Sequence, residues 1–276
     1  MGELVVDLGA ARAALASVAS RIALLLVEDF DASRRIPGME WTVGDAAAHV
    51  ASETRSFARL ASGEVTPEDM WERFAPGTEG MASGQRMSVL NSNEIAAFDR
   101  SQLSTAGELV EEAVGDFLAT TNDWPPDRLF RGIEGDIALP TVTCVVMFEL
   151  LIHGDDLARG LGKRWIISPE EARLVLTGIS SLMPGQFDAD AAGDMRATVF
   201  LRLRGGPAFA LWVHDGRLDV VPDPVERVDC HVSADPVTFL LVSTGRRSQV
   251  GAVLRGKLMA WGRRPWLAAR MPLQSL

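Results

Sequence analysis

Tyrosine is absent, lysine occurs only at Lys163 and Lys257, and cysteine only at Cys144 and Cys230. Two cysteines far apart in sequence, neither in a C-x-x-C pair, give no disulfide framework, and this usage predicts a reducing, cytoplasmic setting. Positive charge is scarce too: 27 Lys and Arg stand against 37 Asp and Glu, a formal net charge of -10. That balance argues against nucleic acid or an anionic membrane as a general partner. Arg246-Arg247 and Arg263-Arg264 remain as local basic clusters. No run is long and charge-free enough to span a bilayer, because the apolar stretch after Ala10 contains Arg12 and Arg21. Glu3 and Asp7 stand where a signal peptide would carry basic residues, so none is expected.

What is present suits two domains, since 276 residues exceed the usual size of one. The first two-thirds has helical periodicity. Leu8, Ala11, Leu15, Val18, Ile22 and Leu25 recur at three and four, one apolar face of a long helix. After Pro37-Gly38, Thr42 with Asp45 forms a capping-box signal for a helix over about 43–61. The stretch 62–84, rich in Gly, Pro and Ser, reads as a long crossover. Asn91 with Glu94, and Thr105 with Glu108, mark two further helix starts. A second long loop ends at Pro140, and a helix follows over about 141–161. Ser168-Pro169-Glu170-Glu171 opens another helix, which connects two domains. Beyond it the period changes to two: Val199, Leu201, Leu203, then Phe209, Leu211, Val213, then Val228, Cys230, Val232. Asp215-Gly216 is a hairpin turn, and Asp235-Pro236 opens a short helix. The tail around Pro265, Trp266 and Met271 is expected to be helical. The C-terminal third is therefore expected as a small α+β domain on an antiparallel sheet, with Trp261 and Trp266 building its core.

Polar residues interrupt two of the helical stripes. Glu149 and His153 lie four apart and share a face on the 141–161 helix, and His49 sits on the apolar face of the 43–61 helix. A buried carboxylate without a partner costs several kcal/mol, so something must satisfy it. If the helices share a bundle, His49 meets Glu149 and His153 across the core, where metal sites are commonly built. From spacing alone, an ion pair or a hydrogen-bonded core histidine is a commoner source of such a pattern than a metal. Asp45, Glu53 and Asp156 are candidates to hold the rings from behind, Asp45 being more readily a cap. Cys144 and Cys230 look like small core residues, His231 a surface residue, His214 a strand-end residue, and Trp41 a hydrophobic lead-in to its helix.

Pro37-Gly38…Trp41-Thr42-Val43-Gly44-Asp45…His49 resembles the second helix of the DinB-like, mycothiol-dependent maleylpyruvate isomerase family. Glu149-x-x-x-His153-Gly154-x-Asp156-Leu157-Ala158-x-x-Leu161-Gly162 is similar to its fourth. Asp235-Pro236…Gly245-Arg246 and Gly256-Lys257-Leu258 more loosely resemble the sterol-carrier-protein-like domain that follows in that family. The resemblance implies a DinB-like four-helix bundle over 1–165, a connecting helix and linker over 166–190, and a sterol-carrier-protein-like α+β domain over 191–276. It implies a divalent metal, usually zinc, on His49, Glu149 and His153, with mycothiol as the thiol cosubstrate. Three protein ligands leave room for a water or thiol, as in catalytic zinc sites. A thiol deprotonated there can add to a cis double bond or displace a leaving group, so the implied enzyme is an isomerase or an S-transferase acting on a small electrophile. Arg246, Arg247 and Arg255 are the candidate catalytic cations for a carboxylate substrate, and a solvated surface arginine is the competing reading of each. A non-enzymatic metal- and small-ligand-binding protein of the same fold is the alternative. Oligomeric state is not encoded in these features.

Overall fold

The computed structural model describes residues 4–27 and 30–271. Its contacts divide the chain into two units, one over Leu8–Ile166 and one from Ile167 onward that takes in residues 4–7. In the first unit, α1 (Leu8–Leu25) buries Ala11, Leu15, Val18, Ile22 and Leu25, the stripe its spacing predicts. α2 (Val43–Ser62) starts on a capping box: Thr42 Oγ1 accepts from the Asp45 N–H, and the Asp45 carboxylate accepts from the Thr42 N–H. It ends at Gly63, whose φ of 75° only glycine adopts freely. α3 (Pro67–Phe74), α4 (Ser83–Ala97), a 3-10 turn (Arg100–Thr105) and α5 (Ala106–Thr120) follow. A hairpin of β1 (Leu129–Gly132) and β2 (Gly135–Ala138) then leads into α6 (Leu139–Leu161).

α1 and α2 each pack on both α5 and α6, and α4 lies against α2. Phe130 of the hairpin enters this core beside Phe57 and Phe117. α6 is buried on nearly every side, its polar His153, Asp155 and Asp156 included. Gly160 sets its contact with α2. A Cβ there would stand 2.5 Å from Val43 Cγ2, so the first turn of α2 lies directly on the last turn of α6. Among the described residues, α1 alone is apolar and long enough to cross a membrane. Its buried stripe is core here, and Arg12 donates to Thr121 Oγ1 at 2.9 Å just past the end of α5.

Three expectations for this unit change. The stretch expected as a crossover holds α3, whose start was legible in Thr66-Pro67-Glu68-Asp69, a second complete capping box. The loop expected before Pro140 holds the β1/β2 hairpin. α4 begins at Ser83, so Asn91 is not a cap and Glu94 lies near its C-terminal end, buried.

In the second unit, α7 (Pro169–Ile179) opens on the Ser168–Glu171 capping box. A 3-10 turn (Ser180–Gln186) and α8 (Ala189–Ala192) lead to β3 (Ala197–Leu203), β4 (Ala208–His214), β5 (Arg217–Val221) and β6 (Cys230–Ala234). Then come α9 (Pro236–Ser243), α10 (Gln249–Leu254), β7 (Leu258–Gly262) and a 3-10 turn (Pro265–Ala269). The sheet order is β5-β4-β3-β6-β7. Asp215 and Gly216 both take positive φ (50° and 73°), as a two-residue hairpin turn favours. The sheet is mixed, not wholly antiparallel as expected: β6 runs parallel to β3, with Val199 opposite Cys230. β3, β4 and β5 form a meander, and residues 222–229 then return the chain to the free edge of β3 in its own direction. α7 packs on α9 within this unit. Val199, Leu201, Leu211, Val213, Cys230 and Val232 are buried on one face as expected, but Trp261 and Trp266 are half exposed and do not build that core. Trp261 is paired in register with His231, which puts it on the opposite face.

Candidate metal centre

α2 and α6 bring His49, Glu149 and His153 together. One ligand atom from each lies within 4.8 Å of the others. The two imidazoles meet edge to face with centroids 4.7 Å apart. Both histidines are buried, and the Glu149 side chain is 23 % exposed, so one side of the cluster reaches solvent. Glu149 Oε2 stands 3.4 Å from His153 Nε2. The other nitrogen of that ring, Nδ1, is 3.1 Å from Asp156 Oδ2. Asp156 is fully buried and takes Arg159 on its second oxygen at 3.3 Å, while Arg159 also donates to the Pro37 carbonyl. A chain of charge-assisted contacts thus fixes the His153 ring and leaves Nε2 aimed at Glu149, the arrangement that orients metal-binding histidines.

The indole of Trp41 packs on both rings, stacked on His153 at 5.5 Å and edge-on to His49 at 5.0 Å. It closes one side of the site, a larger role than the hydrophobic lead-in expected of it. On α2, Glu53 Oε2 lies 3.4 Å from His49 Nε2. That oxygen is buried and accepts no hydrogen bond. Burial, then the charges of Glu149 and Glu94, push the Glu53 carboxyl well above its ordinary value. Burial likewise raises Glu94, against the opposing hydrogen bond from Ser56 Oγ (2.6 Å) and the charge of Arg73. For His153, burial alone would lower the pKa, but the contacts with Asp156 and Glu149 outweigh it and the net shift is upward.

The remaining candidates fall elsewhere. Asp45 caps α2 and pairs with Arg100 at 2.8 Å. Burial lifts the Cys144 thiol to about 12, which leaves it an inert core residue. Arg246 and Arg247 follow α9 and Arg255 caps α10, all in the second unit, and each gives a guanidinium hydrogen bond to a backbone carbonyl within four residues. His214 is buried at the end of β4 with Asp219 at 2.6 Å, and His231 stacks on Trp261. Glu94 and Arg159 were not foreseen as neighbours of the site. Their only sequence signal was a charge on an otherwise apolar helical face.

The donor set suits a borderline divalent cation: two neutral imidazoles, a carboxylate, and a further buried carboxylate oxygen with no donor of its own. Fold and site together define a helical protein with a histidine–carboxylate cluster between two of its helices, followed by a sheet-bearing region. A family described as mycothiol maleylpyruvate isomerase N-terminal domain matches residues 11–158. The chain belongs to that family. No curated protein matches it. The crystal structure of the mycothiol-dependent maleylpyruvate isomerase is 15% identical, with 92% of this chain and 90% of that chain covered and a TM-score of 0.50. A histidine-to-alanine mutant of it matches over the same extent with a TM-score of 0.51. At that identity the likeness establishes the shared architecture, a helical N-terminal region and a C-terminal sheet region.

Proposed function

We propose that this chain is a metal-dependent, thiol-using enzyme, either a maleylpyruvate-type cis–trans isomerase or a thiol S-transferase, with mycothiol as its thiol. The observation that carries this is the convergence of His49, Glu149 and His153 from α2 and α6, in a chain of this family. In this reading residues 1–165 form a DinB-like four-helix bundle, 166–190 a connecting helix and linker, and 191–276 a sterol-carrier-protein-like domain. The three side chains hold the cation, zinc being the ion such ligands favour. A divalent cation there lowers the pKa of a bound thiol, so that the thiolate forms near neutral pH.

The chain's own residues supply the rest. Asp156 and Arg159 keep His153 in the tautomer that presents Nε2. Trp41 excludes water from the imidazole side. For isomerisation, the sulfur forms a bond to one carbon of the activated cis double bond. The former double bond rotates, and the same C–S bond breaks to give the trans isomer with no net redox change. Arg246, Arg247 and Arg255 are the proposed cations for a carboxylate on the electrophile. The setting is cytoplasmic, where a low-molecular-weight thiol stays reduced.

Metal content decides the reading first. Purified protein should carry about one equivalent of metal on the three-ligand geometry, and His49→Ala and His153→Ala should each lose it. Unchanged content in both variants would sink the proposal. Metal-loaded protein should then consume thiol with a cis-enoyl or other electrophilic acid; a loaded protein that never does is a binding protein only.

A further inference from the structure

The contact between α2 and α6 has a regular register. Val43 lies on Gly160 and His49 on His153. Going up α2 therefore means going down α6: the helices are antiparallel, and one turn on from the histidine pair Glu53 comes opposite Glu149. An H-x-x-x-E pattern on α2 faces an E-x-x-x-H pattern on α6. Histidine meets histidine and carboxylate meets carboxylate. The three-residue cluster is three corners of this quartet, and Glu53 is the fourth.

We propose that Glu53 is a fourth protein ligand of the same cation, completing a set of two histidines and two glutamates across the α2–α6 pair. The inference rests on the metal reading above and adds a residue to it. Two observations carry it. Glu53 Oε2 lies 3.4 Å from His49 Nε2, at the cluster's edge. That oxygen is buried and accepts no hydrogen bond, although the side chain as a whole is 20 % exposed, so the buried end is the one turned toward the site. A buried carboxylate is tolerated when paired or bound to a metal. Two carboxylates and two neutral imidazoles bring a dication to zero net charge, where Glu149 alone would leave +1. Pairs of Glu and His on facing helices are an established way to build metal sites in bundles. With four protein ligands, a thiol would be taken up by the expansion to five-coordination that catalytic zinc sites reach, and Glu149, at 23 % exposure, is the ligand open to solvent.

The test uses the full chain, stripped with chelator and reloaded with cobalt or zinc, and compares wild type with Glu53→Gln, which keeps size and shape. Visible cobalt bands report the ligand set directly. Loss of a direct ligand should change their position and intensity and weaken zinc roughly 100-fold or more, since even residues behind the ligands are worth about 10–100-fold. Cobalt bands that coincide with those of wild type overturn the proposal, whatever the change in affinity, because Glu53 then stands behind the ligands. Wild type that takes up neither ion sinks the metal reading itself, a different failure.

Discussion

Residues 8–166 carry 14 Lys and Arg against 24 Asp and Glu, while residues 167–276 carry 13 against 11. The whole acidic excess of the chain beyond its first seven residues thus lies in the unit that holds the histidine cluster. The two units also differ in how some of their carboxylates are matched. In the second, Asp229 accepts from the Thr198 N–H and pairs with Arg263, and Asp235 caps α9 and pairs with Lys257. Burial raises each, but these contacts outweigh it, and both end below the ordinary carboxylate value. In the first, Asp156 is likewise matched by Arg159, but Glu53 and Glu94 are raised, by burial and, at Glu53, by like charge. A carboxylate matched by an internal cation serves the fold. One held against burial and repulsion calls for a cation from outside. On this contrast the candidate metal site is where the first unit gives up stability.

The contrast breaks first at glycine. Gly160→Ala should cost about 1–3 kcal/mol, because the new methyl meets Val43 in a packed helix contact, and it should weaken metal binding by moving α2 off α6. Gly206→Ala in the second unit meets the stem of Arg173, a flexible side chain that can shift, with Leu203 Cβ at an ordinary 3.6 Å, and should cost less, about 0.5 kcal/mol. Thermal melts with and without zinc check both; equal costs at the two sites would show that the α2–α6 spacing is not tightly set. Next in size is Asp156→Asn. It keeps the shape but weakens the hold on His153 Nδ1 and should lower zinc affinity about 10–100-fold in a competition titration. An unchanged affinity would remove Asp156 from the site.

Much of this was legible in the sequence, for physical reasons that also mark where it stopped. Caps are local, so Thr42-Asp45 and Ser168-Glu171 place the starts of α2 and α7 correctly. The same logic held at Thr66-Asp69 but was masked by the Gly, Pro and Ser around it. Period-two alternation places the core face of β3, β4 and β6, whereas the parallel β3–β6 pairing depends on a long-range return no local pattern encodes. The stripe argument for α6 found Glu149 and His153, yet α6 is buried nearly all round, so its faces alone could not single them out. Their meeting with His49 depends on the helix register, which Gly160 and Val43 set at a distance. Trp41 and Glu94 join the site only through that register.

pH sharpens the comparison further. Glu53 and Glu94 have ordinary values of 4.5 and His153 of 6.5, and in the fold all three are raised. A group raised on folding contributes stability that is fully present below its unfolded value and lost as pH climbs through its folded value. Metal-free protein should therefore lose stability as pH rises above the ordinary carboxylate value and on past that of histidine. Asp229 and Asp235, lowered from 3.8, act oppositely and lose their contribution only as pH falls below that value. Zinc competes with protons for the same cluster, so the rise in Tm on adding zinc should grow over the same interval. A zinc-induced shift that is flat across that interval would contradict the assignment of these groups to the cation.

The smallest effect isolates the difference in kind between the two sets of carboxylates. Glu94→Gln keeps an oxygen for Ser56 Oγ and removes a charge that burial opposes, so metal-free protein at pH 7 should gain up to about 1 kcal/mol. Asp229→Asn removes a charge that Arg263 and the Thr198 N–H both satisfy. It should lose about 1 kcal/mol, a modest figure because Arg263 is 55 % exposed and solvent screens the pair. The two substitutions are chemically alike, acid to amide, and differ only in what surrounds the acid. Urea midpoints that move in opposite directions confirm that the first unit holds Glu94 at a cost. Midpoints that fall for both would mean Glu94 is paired within the fold after all, and Glu53 would then be left as the lone acid in need of an outside cation.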